Sequence, residues 1–474
     1  MTATVTSPAE NHRDQHGEVD LYEVRRKIYP RAVSGLFAKW RWSMVWITQL
    51  VFYGLPWLTW NNRPAVLLDI VERRFYLFGA VLYPQDFIYL TGLLFVCALA
   101  LFLFTAVAGR LWCGYACPQT VYTEIFMWIE RKVEGDRAKR MKLDAAPMSV
   151  KKFATKATKI GLWLALAIWT GLTFVGYFSS IRGVLRELLS FDLGPWETFW
   201  ICFYSFATFG NAGFMREQVC KYMCPYARFQ SAMFDKDTMI ITYDRERGEP
   251  RGSRSRKADP KTLGLGDCIG CGLCVEVCPT GIDIRNGLQY ECIGCAACVD
   301  ACDTVMGKMG YPKGLVRYDT ENGLANRWTR EQLFRRVLRP RVLIYLTLLA
   351  AVTIGVLSHL ILRTPLKVDV IRDRGTLGRE VENGQIENVY RLQLINSAET
   401  ARKFRISVQG IDTIRIASNN EVLVDSAGTR MFPIRIRVDE GKGQPGSSKV
   451  TIRVEAIDDP RVAVDEASTF YVPR

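Results

Sequence analysis

At 474 residues the chain is too long for one ordinary domain, and its near-zero mean hydropathy fits a hybrid of membrane and soluble parts. Its formal charge of +14 first suggests nucleic acid. The basic residues gather beside alternate ends of apolar stretches, however, so membrane topology accounts for the charge and nucleic-acid binding is disfavoured.

The polar stretch Met1–Asp20 lacks the apolar centre of a secretory leader, so residues 1–39 are expected to be a cytoplasmic tail. Five apolar stretches then reach the ~20 residues a helix needs to cross a bilayer. They are Trp40–Trp60, Phe87–Val107, Ile160–Phe178, Trp196–Met215 and Val342–Leu362. Trp40, Trp42, Trp46, Trp57 and Trp60 read as an interfacial belt. Lys and Arg number seven in residues 1–41 and eleven in 109–159, against three in 61–86 and two in 179–195. Another five in 330–341 precede the fifth stretch. The positive-inside rule therefore sets the N-terminus, the 109–159 loop and residues 216–341 in the cytoplasm, and residues 363–474 outside.

The second and fourth stretches each end in C-x3-C-P. The first motif is "GRLWCGYACPQ", carrying Cys113, Cys117 and Pro118; the second is "QVCKYMCPYA", carrying Cys220, Cys224 and Pro225. Proline favours the first helical position, which leaves Cys117 and Cys224 as caps. A thiol at a helix start beside Arg110 or Lys221 is expected to favour its thiolate. The helix after Pro118, with Val121, Ile125, Trp128 and Phe126, Ile129, Val133 at helical spacing and a basic end, reads as an interfacial amphipathic helix. If spans one–two and three–four form a duplicated hairpin, the four thiols converge. They would form a site for copper or another cofactor, or two dithiol/disulfide pairs; the bland reading is four unrelated helix-end cysteines. Cys97 and Cys202, inside spans, read as small apolar residues.

Residues 244–261, "DRERGEPRGSRSRKADPK", read as a flexible basic linker. The ferredoxin region, 262–325, follows with "CIGCGLCVEVCP" and "CIGCAACVDAC", both spaced C-x2-C-x2-C-x3-C as in bacterial ferredoxins with two 4Fe–4S clusters. The fourth cysteine of each run reaches the other cluster. Cys268, Cys271, Cys274 and Cys302 are thus assigned to one centre, and Cys292, Cys295, Cys298 and Cys278 to the second. Gly270, Gly272 and Gly294 let the backbone wrap close, so that N–H groups point at sulfur. Zinc knuckles, built on paired C-x2-C, fit this duplicate spacing poorly. Cys278 is followed by Pro279 but Cys302 by Asp303, which puts local helix geometry in question.

A linker and fifth span cover 326–362. His359 lies near its outer end, where snorkelling is preferred to copper binding. With His12 and His16 the only other histidines, and no C-x-x-C-H motif, haem is disfavoured. Beyond it, "VYRLQLIN", "KFRISVQ", "MFPIRIRV" and "KVTIRVEA" alternate with period two between turn residues. Residues 363–474 are therefore expected to be a periplasmic β-sandwich whose default role is partner docking. The fold class is an α-helical integral membrane protein of five transmembrane helices with an inserted ferredoxin module of two 4Fe–4S clusters and a C-terminal all-β immunoglobulin-like sandwich.

"WCGYACPQTVYTE", "REQVCKYMCPYARFQSAM", the ferredoxin runs and the C-terminal domain together resemble the FixG/CcoG (RdxA/RdxB-like) cytochrome c oxidase accessory proteins over residues 20–474. The resemblance implies two 4Fe–4S clusters on the eight ferredoxin cysteines, and Cys113, Cys117, Cys220 and Cys224 as the family's membrane cysteine pairs. It also implies a bacterial inner-membrane location and a cupric reductase role, Cu(II) to Cu(I), in assembly of cbb(3)-type cytochrome c oxidase. Copper would be substrate or transient ligand. Partners would be membrane lipid, a cytoplasmic electron donor, oxidase subunits and copper assembly factors. The competing readings are a quinol-linked electron-transfer subunit for a periplasmic reductase and a non-catalytic copper carrier or scaffold.

Overall fold

Among the described residues, three helices are long and apolar enough to cross a bilayer: Pro84–Ala108, Val150–Val175 and Pro340–Leu362. The computed structural model describes residues 27–260, 262–373, 378–381 and 384–473. The tail before Lys27, with His12 and His16, and Lys261 of the linker lie outside the described residues.

The chain begins with α1 (Leu36–Gly54), which runs into a short 3-10 turn where Pro56 ends it. Two antiparallel ribbons follow, one of them a three-stranded sheet of Val66–Asp69, Arg74–Leu77 and Ala80–Leu82 that the apolar pattern did not announce. Next come α2 (Phe87–Ala108), α3 (Leu111–Tyr115), α4 (Pro118–Glu134), α5 (Arg137–Ala145) and α6 (Val150–Val175). After α7 (Ile181–Ser190), the fourth apolar stretch departs from a single straight span. Its α8 (Pro195–Thr208) passes into a π-helix, Phe209–Met215, and a second π-turn, Val219–Met223, before α9 (Pro225–Met233). The widened turns leave carbonyls off the regular ladder, and the Gln119 side-chain amide donates to the carbonyls of Asn211 and Arg216.

Helix directions follow from the contacts at the helix ends. Arg339, at the start of Pro340–Leu362, donates to the Ala106 carbonyl at the end of α2, whereas His359 Nδ1 meets the Tyr89 hydroxyl at 2.8 Å near the start of α2. Those two helices are antiparallel. His359 is thus held by the Tyr89 phenol. At this same end, Asp86 pairs with Lys367 and Arg363, and Glu399 pairs with Arg63 while accepting from Trp60 and Asn61. The 59–82 ribbons therefore pack on the C-terminal domain through Val81, Tyr83 and Ile395.

The C-terminal domain contains two antiparallel sheets. Ile386–Asn396 lies between Thr429–Val438 and Leu366–Arg372 in one, and Arg402–Gln409 pairs with Gly446–Ala456 in the other. The period-two residues Tyr390, Leu392 and Leu394 meet Phe404, Ile452 and Phe470 in one core.

Two sequence expectations change here. The 244–260 segment is bound to the ferredoxin and does not behave as a loose linker. Arg247 pairs with Asp267 at 2.6 Å, Arg254 donates to the carbonyls of Gly266 and Cys268, and the preceding strand Ile240–Tyr243 pairs with Val316–Asp319. Charge composition announced mobility because the partners lie elsewhere in the chain. Helix α4 also does more than float on an interface. Phe126 and Ile129 pack on Trp163, while buried Glu130 pairs with Arg140 at 2.9 Å and Arg216 at 2.7 Å.

The ferredoxin docks directly on the start of α1. Gly35 supplies no side-chain cap; instead the buried Asp300 accepts from the N–H of Phe37 at 3.2 Å and of Ala38 at 2.7 Å. A Cβ on Gly35 would fall 2.3 Å from Asp300. Asp300→Ala should cost about 1–2 kcal/mol at this junction, as cap removal does. The expected readouts in micelles are an earlier thermal transition and faster trypsin cleavage near Lys39 and Arg41.

Candidate metal centres

Each ferredoxin run turns through left-handed residues before its helix starts: Gly270 and Gly272 at φ 68°, Gly294 at φ 67° and Ala296 at φ 55°. The short helix Leu273–Glu276 and the helix Ala297–Met309 follow. The result is two small cavities. One, of about 380 Å³, is lined by Cys268, Cys271, Cys274 and Cys302 among Ile269, Leu315 and Val316. The other, of about 330 Å³, is lined by Cys278, Cys292, Cys295 and Cys298, with Cys274 at its edge, among Ile241, Ile282 and Ile284. These are the two quartets expected from crossed ligation.

The donors suit an iron–sulfur group. Neither cavity wall includes a histidine or a carboxylate. Burial pushes the Cys274 thiol up to about 11 and those of Cys292 and Cys302 up to about 12, and it holds Cys298 well above its ordinary value. A group that takes thiolates as ligands relieves that burden. Backbone N–H groups of Gly294, Ala297 and Val316 oppose the shift at Cys292, Cys295 and Cys302 by bonding to sulfur. Asp303 leaves the helix intact, and its carboxylate accepts from the Gly314 N–H at 2.8 Å.

The membrane-edge motifs sit against the second cavity. Cys117 caps α4 and Cys224 caps α9, each ahead of its proline. The structure gathers the four thiols: Cys117 and Cys224 both bear electrostatically on Cys113, and all three others bear on Cys220. The two helix-start thiols expected to favour thiolate, Cys117 and Cys224, stand beside two whose burial opposes ionisation. Burial pushes Cys113 up to about 11 and Cys220 up to about 12, and Arg110, which opposes both shifts, does not outweigh it. Helix position and nearby cations were legible in the sequence; the depth of burial was not.

Arg110 and Gln230 join these thiols to the ferredoxin. Gln230 is fully buried. Its Oε1 accepts from Cys113 Sγ at 3.3 Å and Arg110 Nε at 3.2 Å, while its Nε2 donates to Thr105. The Arg110 guanidinium continues to the Cys292 carbonyl at 3.3 Å and to that of Tyr290. Arg110 is buried with no carboxylate partner among the described residues. Gly114 lets α3 approach the ferredoxin, since a Cβ there would stand 2.8 Å from the Ile293 carbonyl. Cys113, Cys220, Cys295 and Cys298 share one buried cluster. Gln230 was missed in the sequence, where its only trace is a lone amide beside Ala227 on a nine-residue helix. Cys97 and Cys202 are exposed on α2 and α8, apart from this site. Among the described residues no three His, Cys, Asp or Glu side chains are drawn together tightly enough to hold a single metal ion, so the four membrane-edge thiols are neighbours and not a closed single-ion site.

Family comparisons fall on the same segments. Residues 215–321 match a 4Fe-4S dicluster domain, residues 90–134 a 4Fe-4S binding domain, and residues 356–473 an IG-like fold at the C-terminus of FixG. The 90–134 match includes Cys113 and Cys117. The chain is 36% identical over 462 residues to the nitrogen fixation protein FixG of Rhizobium meliloti, covering 90% of this chain and 88% of that one. It is 38% identical to protein RdxB of Cereibacter sphaeroides, covering 90% and 91%, and 37% identical to protein RdxA of the same organism, covering 91% and 97%. Thiol-lined ferredoxin cavities, apolar helices of spanning length and full-length similarity converge: the chain belongs to the FixG, RdxA and RdxB family of iron–sulfur electron-transfer proteins.

Proposed function

We propose that this protein is an inner-membrane cupric reductase that converts Cu(II) to Cu(I) for delivery during assembly of cbb(3)-type cytochrome c oxidase. The observation that carries the reading is the convergence of Cys113, Cys117, Cys220 and Cys224 against the ferredoxin, through Gln230 and Arg110. In this reading Cys268, Cys271, Cys274 and Cys302 hold one 4Fe–4S group, and Cys278, Cys292, Cys295 and Cys298 hold the other. Such groups supply single electrons at low potential when bound. The four membrane-edge thiols receive copper as substrate; soft sulfur donors stabilise Cu(I) over Cu(II), which favours the reduced product. Gln230 orients the Cys113 sulfur, and Arg110 offsets the negative charge that thiolates develop when they give up protons to bind metal.

The topology proposed is five spans: α1, α2, α6, α8 with its π-extension, and Pro340–Leu362. The antiparallel pairing of α2 with Pro340–Leu362 and the basic loops support a cytoplasmic ferredoxin and an outer C-terminal domain. Copper assembly factors, oxidase subunits and a cytoplasmic electron donor remain the partners proposed.

Anaerobic protein with reduced clusters, mixed with Cu(II) and a Cu(I) chelator, should bleach its cluster absorbance as the Cu(I) complex forms. Turnover with quinol analogues and no copper dependence would instead favour the quinol-linked subunit. Cys113→Ser with Cys117→Ser should lower the copper rate about tenfold or more, the scale of losing metal-site ligation; an unchanged rate removes these thiols from the route. Because Cys113 and Cys220 stay protonated to about 11 and 12, Cu(I) capture must release protons. Apparent Cu(I) affinity should therefore rise between pH 7 and 9, about tenfold per pH unit for each proton released, in chelator competition.

A further inference from the structure

The two ferredoxin quartets are not equally placed. Of the eight ferredoxin cysteines, all among the described residues, only Cys271 is exposed. Its quartet is the one away from the membrane-edge thiols, since Cys113 and Cys220 pack with Cys295 and Cys298 of the other. Cys274 lines both cavities, which sets the quartets in series. A Cβ on Gly270 or Gly272 would meet nothing within 4 Å, so the loop around Cys271 is open to a body from outside.

The ground beside that opening is basic. Residues 251–266 carry Arg251, Arg254, Arg256, Lys257 and Lys261 against one acid, Asp259. The stretch is fixed to the outer quartet at both ends. The Gly252 N–H donates to the Cys268 carbonyl at 3.2 Å, and Arg254 donates to the carbonyls of Gly266 and Cys268. Those acceptors are neutral, as is the Tyr311 hydroxyl that Arg254 also meets, so the guanidinium charge is not cancelled there. Arg256 and Lys257 are exposed and form no ion pair among the described residues. Lys313 is likewise exposed and unpaired among them, on a second loop whose carbonyl receives Arg247 at 3.2 Å. Arg251 reaches Glu249 only at 3.9 Å. The acids close by are already engaged, Asp267 by Arg247 and Asp283 by Arg285, each at 2.6 Å. Leu263, exposed in the same basic stretch, adds an apolar contact inside a charged rim.

Fixed cations beside an open redox centre steer an anionic body toward it. Here they are distributed over two exposed loops, which suits a protein surface better than a small anion. We propose that this face docks a small acidic one-electron carrier protein, and that electrons enter at the Cys268, Cys271, Cys274 and Cys302 quartet before passing to the quartet beside the membrane-edge thiols. This inference rests on the cupric reductase reading and names the class of its electron donor. The step balances: each carrier is oxidised by one electron, and that electron leaves this chain on copper(II), which becomes copper(I). No bond and no proton is exchanged with the carrier, so a brief contact of under about 1,200 Å² is enough.

The test uses the full chain in micelles, with its iron–sulfur groups in place, and an acidic plant-type ferredoxin as the probe. Binding of the oxidised, dye-labelled probe is read by fluorescence anisotropy. Electron transfer is read by stopped flow, from the reduced probe or from the methyl viologen radical cation, a small reductant of opposite charge. Arg256→Glu with Lys257→Glu should weaken binding and slow oxidation of the probe about tenfold or more at low salt, and rising salt should erase the difference. Lys313→Glu, on the second loop, should lower both partway. Lys151→Glu, an exposed cation at the start of α6, should change either by less than about twofold. The viologen rate should hold in all three variants. Equal binding and equal rates in the double variant and Lys313→Glu, or a probe reaction indifferent to salt, overturn the inference. Salt-dependent docking that reduces the chain but yields no copper(I) supports the docking face and overturns cupric reduction. Copper(I) formed after viologen reduction, with no binding of the probe, supports cupric reduction and overturns the docking face.

Discussion

Asp300, Arg41 and Arg110 are buried along one seam, and each bonds to backbone from across it. Asp300 on the ferredoxin accepts the first N–H groups of α1, Arg41 on α1 donates to the Cys295 carbonyl, and Arg110 after α2 donates to that of Cys292. A buried polar group left without its partner costs about 1–3 kcal/mol. The ferredoxin therefore cannot slide or tilt on the helix ends without several such penalties at once. The packing of Cys113 and Cys220 with Cys295 and Cys298 across the seam depends on this constraint, reinforced by the absence of a side chain at Gly114.

The far end of the helices is tied in the same manner but by ion pairs, with Asp86 buried at their centre. Asp86 gathers Arg363 and Lys367, and Glu399 gathers Arg63, Trp60 and Asn61. These contacts join the 59–82 ribbons, the start of α2 and the C-terminal sheets into one outer assembly. Between the two ends the helices present broad apolar surfaces, with Leu94, Phe95, Phe206 and Ile361 all exposed. Such surface is tolerated where lipid replaces water.

How much was legible in the sequence depended on whether the cause was local. Cysteine spacing is local, so both quartets could be written down before any fold was known. Period-two alternation around Tyr390 and Phe404 is equally local and marked the C-terminal strands. Convergence of Cys113 with Cys220 required the premise of a duplicated hairpin, which spacing alone could not supply. The burial that raises the Cys113 and Cys220 thiols left no mark in the sequence, because depth is a property of the whole assembly. Arg247 and Arg254 were misread for the same reason: their partners, Asp267 and the carbonyls of Gly266 and Cys268, come after the polar stretch ends. The π-turns of the fourth stretch left no compositional mark, because glycine and asparagine there also fit a straight helix.

The cap of α1 also orders events in time. Ala38 and Asp300 stand 262 residues apart, a gap that takes roughly 13–52 s to synthesise at 5–20 residues per second. Throughout that interval the nascent α1 exposes bare amides at its leading turn, with nothing yet made to receive them. Completion of the first helix is thereby deferred until the iron-binding module has been translated and has closed upon it.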